Sequence, residues 1–183
     1  SNTTFVFKQN GEFEVIPNNA NASTTKNPTD KVKISYVEKI GNSTEQSREL
    51  IVTKNNQNQW SMNNQLDYVT LDSITGKVTF KANSLKPHVL INTESIAGSD
   101  DNFSHNTVGI VGPEHHDVII HEIVKEPGER VSNEELNNAI NVDNKDHANV
   151  NEGVSLPTNL QSDTTQTVPT RITYRDGSIE IVN

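Results

Sequence analysis

The sequence predicts a mainly β protein built as two tandem antiparallel β-sandwich modules, the second smaller and carrying one short α-helix. Three observations point there. From Phe5 to Val111 nearly every apolar cluster is short and bounded by turn material such as Asn10-Gly11 and Thr75-Gly76, the pattern of antiparallel strands rather than of βαβ units. Only 31% of the 183 residues are hydrophobic and 5% aromatic, a supply that suits thin cores between facing sheets. The stretch Gly112-Pro113-Glu114-His115-His116 is polar and proline-bearing, and a new strand signal follows it. It sets the boundary between a module at 1–112 and one at 113–183.

In the first module the strand candidates are Phe5–Phe7, Phe13–Ile16, Val32–Val37, Glu49–Lys54, Gln59–Met62, Tyr68–Leu71, Lys77–Phe80, Val89–Thr93 and Thr107–Val111. Asn, Gly, Thr and Ser between them supply turns. Trp60, the only tryptophan, is assigned to the core, because a thin core needs its one large aromatic. A ligand-stacking patch of Trp60 with Tyr68 is the second reading.

The second module opens with a strand at Val118–Val124. Its helix, near 133–141, is announced by Ser132-Asn133-Glu134-Glu135, a capping box in which hydroxyl and carboxylate each answer a free backbone N–H. Val131 and Leu136 stand at the staple positions, and Leu136, Ala139 and Ile140 form one apolar stripe. A helix this short must pack on the sheet to persist. Further strands are expected at Ala148–Val150 and Thr167–Tyr174, with Pro169 at an edge or a strand start. A last hairpin strand, Ser178–Val182, follows an Asp176-Gly177 turn of type I′. The period of two then points Ile179 and Ile181 inward, and Ser178, Glu180 and Val182 outward or towards a following module. Ending directly after this strand is read as a module boundary inside a longer protein.

The formal charge is −9 and the isoelectric point about 5.1. That excludes the basic patch needed to displace counterions from nucleic acid and a polybasic membrane anchor. No cysteine is present, which removes disulfides, thiolate catalysis and cysteine–zinc sites. No apolar run approaches bilayer-spanning length.

The ordered set NGEFEVIPNN, YVEKIGN, NQWSMNNQLDYVTLDSITGKVTFKANSLKP, EIVKEPGERVSNEELNNAINVDN and LPTNLQSDTTQTVPTRITYRDGS resembles, almost end to end, a segment of the giant staphylococcal extracellular-matrix-binding proteins of the Ebh/Embp type. Within it, TLDSITGKVTF with a tryptophan about ten residues earlier resembles bacterial Ig-like repeats. NEELNNAI with the terminal TYRDGS is similar to Rib/alpha-like repeats of Gram-positive surface proteins. The resemblance implies an Ig-like module at 1–112 and a Rib/alpha-like module at 113–183, in a wall-associated extracellular protein that engages matrix proteins such as fibronectin. In that family three-helix FIVAR/GA repeats follow the β region and are the usual candidates for ligand contact.

Candidate chemistry is sparse. Asp100, Asp101 and Asn102 are the better calcium candidates, calcium being a hard cation that takes six to eight oxygens; a solvated acidic loop is the leading reading. Asp143-Asn144-Lys145-Asp146 is the lesser candidate, because Lys145 brings a positive charge into it. His115, His116, His121 and Glu122 form the only histidine cluster, read as structural ahead of metal-binding. No G-x-S-x-G elbow, phosphate loop or paired carboxylate in an apolar setting occurs, so no catalytic residue and no cofactor are assigned. The expected function is that of a non-catalytic stalk or spacer pair of a cell-surface adhesin, serving matrix attachment and biofilm-type adhesion. The alternative is a module that binds fibronectin or a glycan itself. Expected partners are a host matrix protein and neighbouring repeats of the same chain, with the segment itself a monomer. An exposed, contiguous apolar patch would favour the binding alternative.

Overall fold

The computed structural model describes residues 3–18, 31–41, 45–96, 106–153 and 164–183. The chain divides into two compact units, Ser1–His115 and His116–Asn183, and among the described residues it is mainly β, with fourteen strands and one helix. No helix there is long and apolar enough to cross a membrane.

Unit 1 packs two antiparallel sheets face to face, consistent with an Ig-like sandwich. Its strands are β1 (Thr3–Phe7), β2 (Phe13–Pro17), β3 (Lys31–Glu38), β4 (Gln46–Lys54), β5 (Trp60–Met62), β6 (Val69–Leu71), β7 (Val78–Phe80), β8 (Leu90–Ile96) and β9 (Thr107–Ile110). One sheet runs β1-β2-β7-β6 and the other β5-β4-β3-β8-β9. Strict alternation sorts the side chains: in β3, Val32, Ile34, Tyr36 and Glu38 face inward while Lys31, Lys33 and Ser35 do not, as a period of two requires. The core joins Phe13 and Val15 to Val32, Ile34, Leu50, Val52, Val78, Phe80 and Ile91. Trp60 is 3% exposed and Tyr68 7%, so both are core residues and no surface stacking pair exists between them.

Residues 112–115 are held by unit 1. A Cβ on Gly112 would stand 2.6 Å from the Phe7 ring. The Asn83 amide brackets His115, accepting from its N–H at 2.7 Å and donating to its carbonyl at 2.8 Å.

Unit 2 contains β10 (Ile119–Ile120), α1 (Asn133–Ala139), β11 (Ile140–Asn141), β12 (Lys145–Val150), β13 (Thr170–Tyr174) and β14 (Ile179–Val182). A three-stranded sheet, β12-β13-β14, accompanies a two-stranded ribbon, β10-β11. Ile140, Ala148, Ile172 and Tyr174 are the buried centre, with Val118, Leu136, Val142 and Val182 against them. Of the Val118–Val124 run only Ile119 and Ile120 join a ladder, because their partner strand after the helix is two residues long. The helix starts as its sequence requires: the Ser132 hydroxyl accepts from the Glu135 N–H and the Glu135 carboxylate accepts from the Ser132 N–H. Replacing Ser132 with alanine should therefore cost unit 2 about 1 kcal/mol, seen as a lower urea midpoint by circular dichroism with no change in Trp60 fluorescence. An unchanged midpoint would remove Ser132 from the account of this helix.

The expected facing of β14 is overturned. Ile179 is 58% exposed and Ile181 50%, while Val182 packs on the core and Glu180 accepts a hydrogen bond from the buried Tyr174 hydroxyl. The cause is the turn. Gly177 has φ +87°, Asp176 is not among the residues of positive φ, and Tyr174 N–H bonds to Ser178 O at 2.9 Å. The loop is thus three residues, Arg175-Asp176-Gly177, with glycine in the left-handed position, rather than the two-residue type I′ turn. Ile172 consequently pairs with Glu180 and Thr173 with Ile179. One extra residue in the loop has exchanged the two faces of the strand.

Candidate functional site

Two features of unit 1 stand out, one inside the sandwich at its end and one on its surface. Inside, β3 places Tyr36 and Glu38 two residues apart on the same face, β4 brings Arg48 beside them, and the turn before β6 supplies Tyr68. The Tyr68 hydroxyl donates to Glu38 Oε2, Tyr36 and Tyr68 hydroxyls lie 2.9 Å apart, and Arg48 Nε donates to Glu38 Oε2 at 2.7 Å. The hydrogen bond from Tyr68, helped by Arg48, holds the Glu38 carboxyl below its usual range. Burial, then the bond to Glu38, pushes the Tyr68 phenol up, and burial does the same to Tyr36. These groups bond to one another, so the cluster is a polar clasp between β3, β4 and the turn before β6.

The clasp predicts a pH dependence for unit 1. Glu38, depressed in the folded state, contributes stability that is complete above an unfolded carboxylate value of about 4.3 and is lost as pH falls through its lower folded value. Tyr68, raised in the folded state, contributes stability that is complete below about pH 10 and is lost above it. Urea midpoints by Trp60 fluorescence should form a plateau between these limits, and Tyr68→Phe should flatten both flanks. Flanks of unchanged steepness in that variant would detach the clasp from the pH response.

On the surface, the outer face of the larger sheet carries an apolar row. Leu90 is 61% exposed, Val108 52% and Ile110 66%. Leu90 pairs directly with Ile110, and Asn92 with Val108, so these side chains are cross-strand neighbours. A shallow groove beside them is lined by residues 35–37 of β3 and 47–49 of β4, Arg48 and Glu49 included, and by Leu90 and Asn92. The row ends at β9, the last strand of its sheet. Gly109 in that strand lies against Phe5 of the facing sheet, where a Cβ would stand 2.7 Å from the ring. The sequence predicts β9 as a strand, and its outward apolar pair follows from the alternation Thr107-Val108-Gly109-Ile110, in which both inward positions are small.

The residues singled out from sequence fall elsewhere. Asp100, Asp101 and Asn102 lie outside the described residues. In the second acidic cluster Lys145 spends its ammonium on the carbonyls of Asn137 and Ile140 at the end of α1, a cation where the helix dipole is negative. His115 is fixed through its backbone by Asn83, and His116 stacks on Tyr174 with ring centroids 3.9 Å apart. His121 and Glu122 are exposed. No group of three His, Asp or Glu side chains converges as a metal site among the described residues.

The chain is 43% identical over 174 residues, 95% of its length, to extracellular matrix-binding protein EbhB of Staphylococcus aureus strain N315. It is a relative of a segment of the staphylococcal extracellular matrix-binding proteins. The same identity and span hold for EbhB of strain Newman and for the extracellular matrix-binding protein ebh of strain NCTC 8325. The chain spans only 4% of the first of these relatives and 2% of the other two. No protein-family model matches it, and no solved structure does.

Proposed function

We propose that this chain is a non-catalytic module pair of a Gram-positive cell-surface adhesin, standing at the cell wall as a stalk in attachment to host extracellular matrix. The observation that carries this is the 43% identity running through both units to proteins named for matrix binding. In this reading unit 1 is a bacterial Ig-like module and unit 2 a Rib/alpha-like module. Each folds around its own core as a monomer, and both act without catalytic residue or cofactor. The pair spaces other domains of a longer protein and takes part in biofilm-type adhesion.

A second reading, that the pair also touches its ligand, is favoured by the exposed row of Leu90, Val108 and Ile110. A pure spacer has no need of adjacent exposed apolar side chains. The ligand is then a host matrix protein, with fibronectin the first to try and a glycan as the other class. A pull-down of the chain on immobilised fibronectin, collagen, fibrinogen and glycans separates the two readings. Retention on one of them supports direct contact; passage through all of them leaves the stalk reading alone.

A further inference from the structure

We propose that β9 is a docking edge for an extended segment of a matrix protein, neutral or basic, which adds as a sixth strand beside β9 and lays its alternate apolar side chains along Val108, Ile110 and Leu90. The proposal rests on the direct-contact reading above and names its site.

The hydrogen-bonding pattern comes first. Val111 N–H bonds to Val89 O at 2.9 Å and Val111 O accepts from His88 N–H at 2.8 Å, so the backbone of Val111 faces β8. Alternation along an antiparallel ladder turns Gly109 and Thr107 the same way and turns the N–H and C=O groups of Val108 and Ile110 outward. Among the described residues nothing lies beyond β9 in its sheet. The two residues with outward backbone groups are also the two with exposed side chains. An extended strand is the partner that meets both at once, through main-chain bonds and alternate side chains.

Three of the devices that usually blunt an edge are missing from β9 itself. β9 carries no charge, no proline and no bulge, in contrast to the Glu180 in β14; natural edges are ordinarily protected by such features. The nearest charges on this face neutralise each other, Lys33 lying 3.7 Å from Glu94. An occupant therefore gains nothing from a charged residue against the row itself, while the groove beside it is lined by Glu49 and by Arg48, whose guanidinium is already paired with Glu38, so the charge it leaves to an occupant is the Glu49 carboxylate. The chain as a whole is at −9, which disfavours a second copy, leaves a neutral partner unopposed and favours a basic one. β9 is also only four residues long, a small basis for a self-associated pair that needs roughly 1,200 Å² or more of buried surface.

The test uses the full chain, amide hydrogen exchange, and two probes. The first is a blocked hexapeptide, acetyl-Thr-Val-Lys-Ile-Thr-Val-amide; the second is immobilised fibronectin. Saturating peptide should slow exchange at the Val108 and Ile110 amides by about tenfold or more, and bound fibronectin should protect the same two. Val108→Lys should weaken peptide binding about tenfold with an unchanged unfolding midpoint. Peptide binding that leaves both amides unprotected, or that survives Val108→Lys undiminished, overturns the docking edge. Protection that rises with protein concentration alone would assign the edge to a second copy and overturn the proposed partner. Fibronectin bound with both amides unprotected overturns the edge and leaves the contact reading standing. Peptide protection with no matrix protein retained overturns the contact reading and the matrix partner with it.

Discussion

Replacing Gly76 with alanine is expected to cost unit 1 about 3 kcal/mol, because two penalties fall on one atom. Gly76 has φ +79°, and a Cβ there would stand 2.6 Å from Trp60 Cε2 and 2.7 Å from its Cδ2. A left-handed conformation alone disfavours any L side chain. The overlap adds to it, since the ring is a rigid plate, 3% exposed, set into the centre of the core. The turn cannot yield cheaply either: Gly76 N–H bonds to Asp72 O at 2.8 Å, Asp72 N–H to Lys77 O at 2.9 Å, and the Asp72 carboxylate accepts from Ile74 and Thr75 N–H. The measurement is a urea titration of Trp60 fluorescence. A loss of only about 1 kcal/mol, the low end for left-handed backbone strain alone, would show that the tryptophan moves aside freely.

That pairing of a turn glycine with a distant tryptophan illustrates which parts of the fold the sequence could reveal. The nine described strands of unit 1 were legible, because most have an apolar, period-two face and turn material of Asn, Gly, Thr or Pro beside them. The helix was legible through its capping box. The facing of β14 was not. Asp-Gly is compatible with a two-residue loop and with a three-residue loop ending in a left-handed glycine, and the two differ by one residue of register. The hairpin at Asn10-Gly11 takes the same three-residue form, with Lys8 N–H bonded to Glu12 O and Gly11 at φ +87°. In β14 the three-residue loop selects one of the two registers. The observed one gives Glu180 the Tyr174 hydroxyl and sends Val182 to the core, and it leaves Ile179 and Ile181 on the open face. Hydrophobicity alone would have chosen the other.

The candidate surface shows a similar limit. Exposed Leu90 and Ile110 are twenty residues apart, and only the β8–β9 register makes them neighbours. The Tyr36–Tyr68–Glu38–Arg48 clasp spans three elements and has no local signature. A glutamate at the end of an apolar strand was visible; the two phenols and the guanidinium that make it acceptable in a sandwich were not.

Asn137 is the other residue whose weight was hidden, and its loss is the second large effect expected. It sits on α1, where asparagine is a poor helix former, and its amide does the work of a missing strand. Ala148 pairs with Ile172 across β12 and β13, and Asn151 N–H bonds to Pro169 O, so alternation turns the Ala148 backbone groups away from β13. Asn137 meets both of them: Oδ1 accepts from Ala148 N–H at 2.7 Å and Nδ2 donates to Ala148 O at 3.0 Å. A second bond from Nδ2 reaches Asn133 O at 2.8 Å. Asn137→Ala strands a donor and an acceptor at a fully buried alanine, each costing about 1–3 kcal/mol, against a propensity gain of roughly half a kcal/mol. The net expectation is a loss of about 3 kcal/mol in unit 2. Asn138, exposed on the same helix, is the control, and its alanine variant should be neutral or slightly more stable. Hydrogen exchange reads the difference directly, because the Ala148 amide should lose its protection in Asn137→Ala alone. Equal protection in the two variants would mean that Ala148 is shielded by burial and that the helix is held to the sheet by its apolar stripe without the amide.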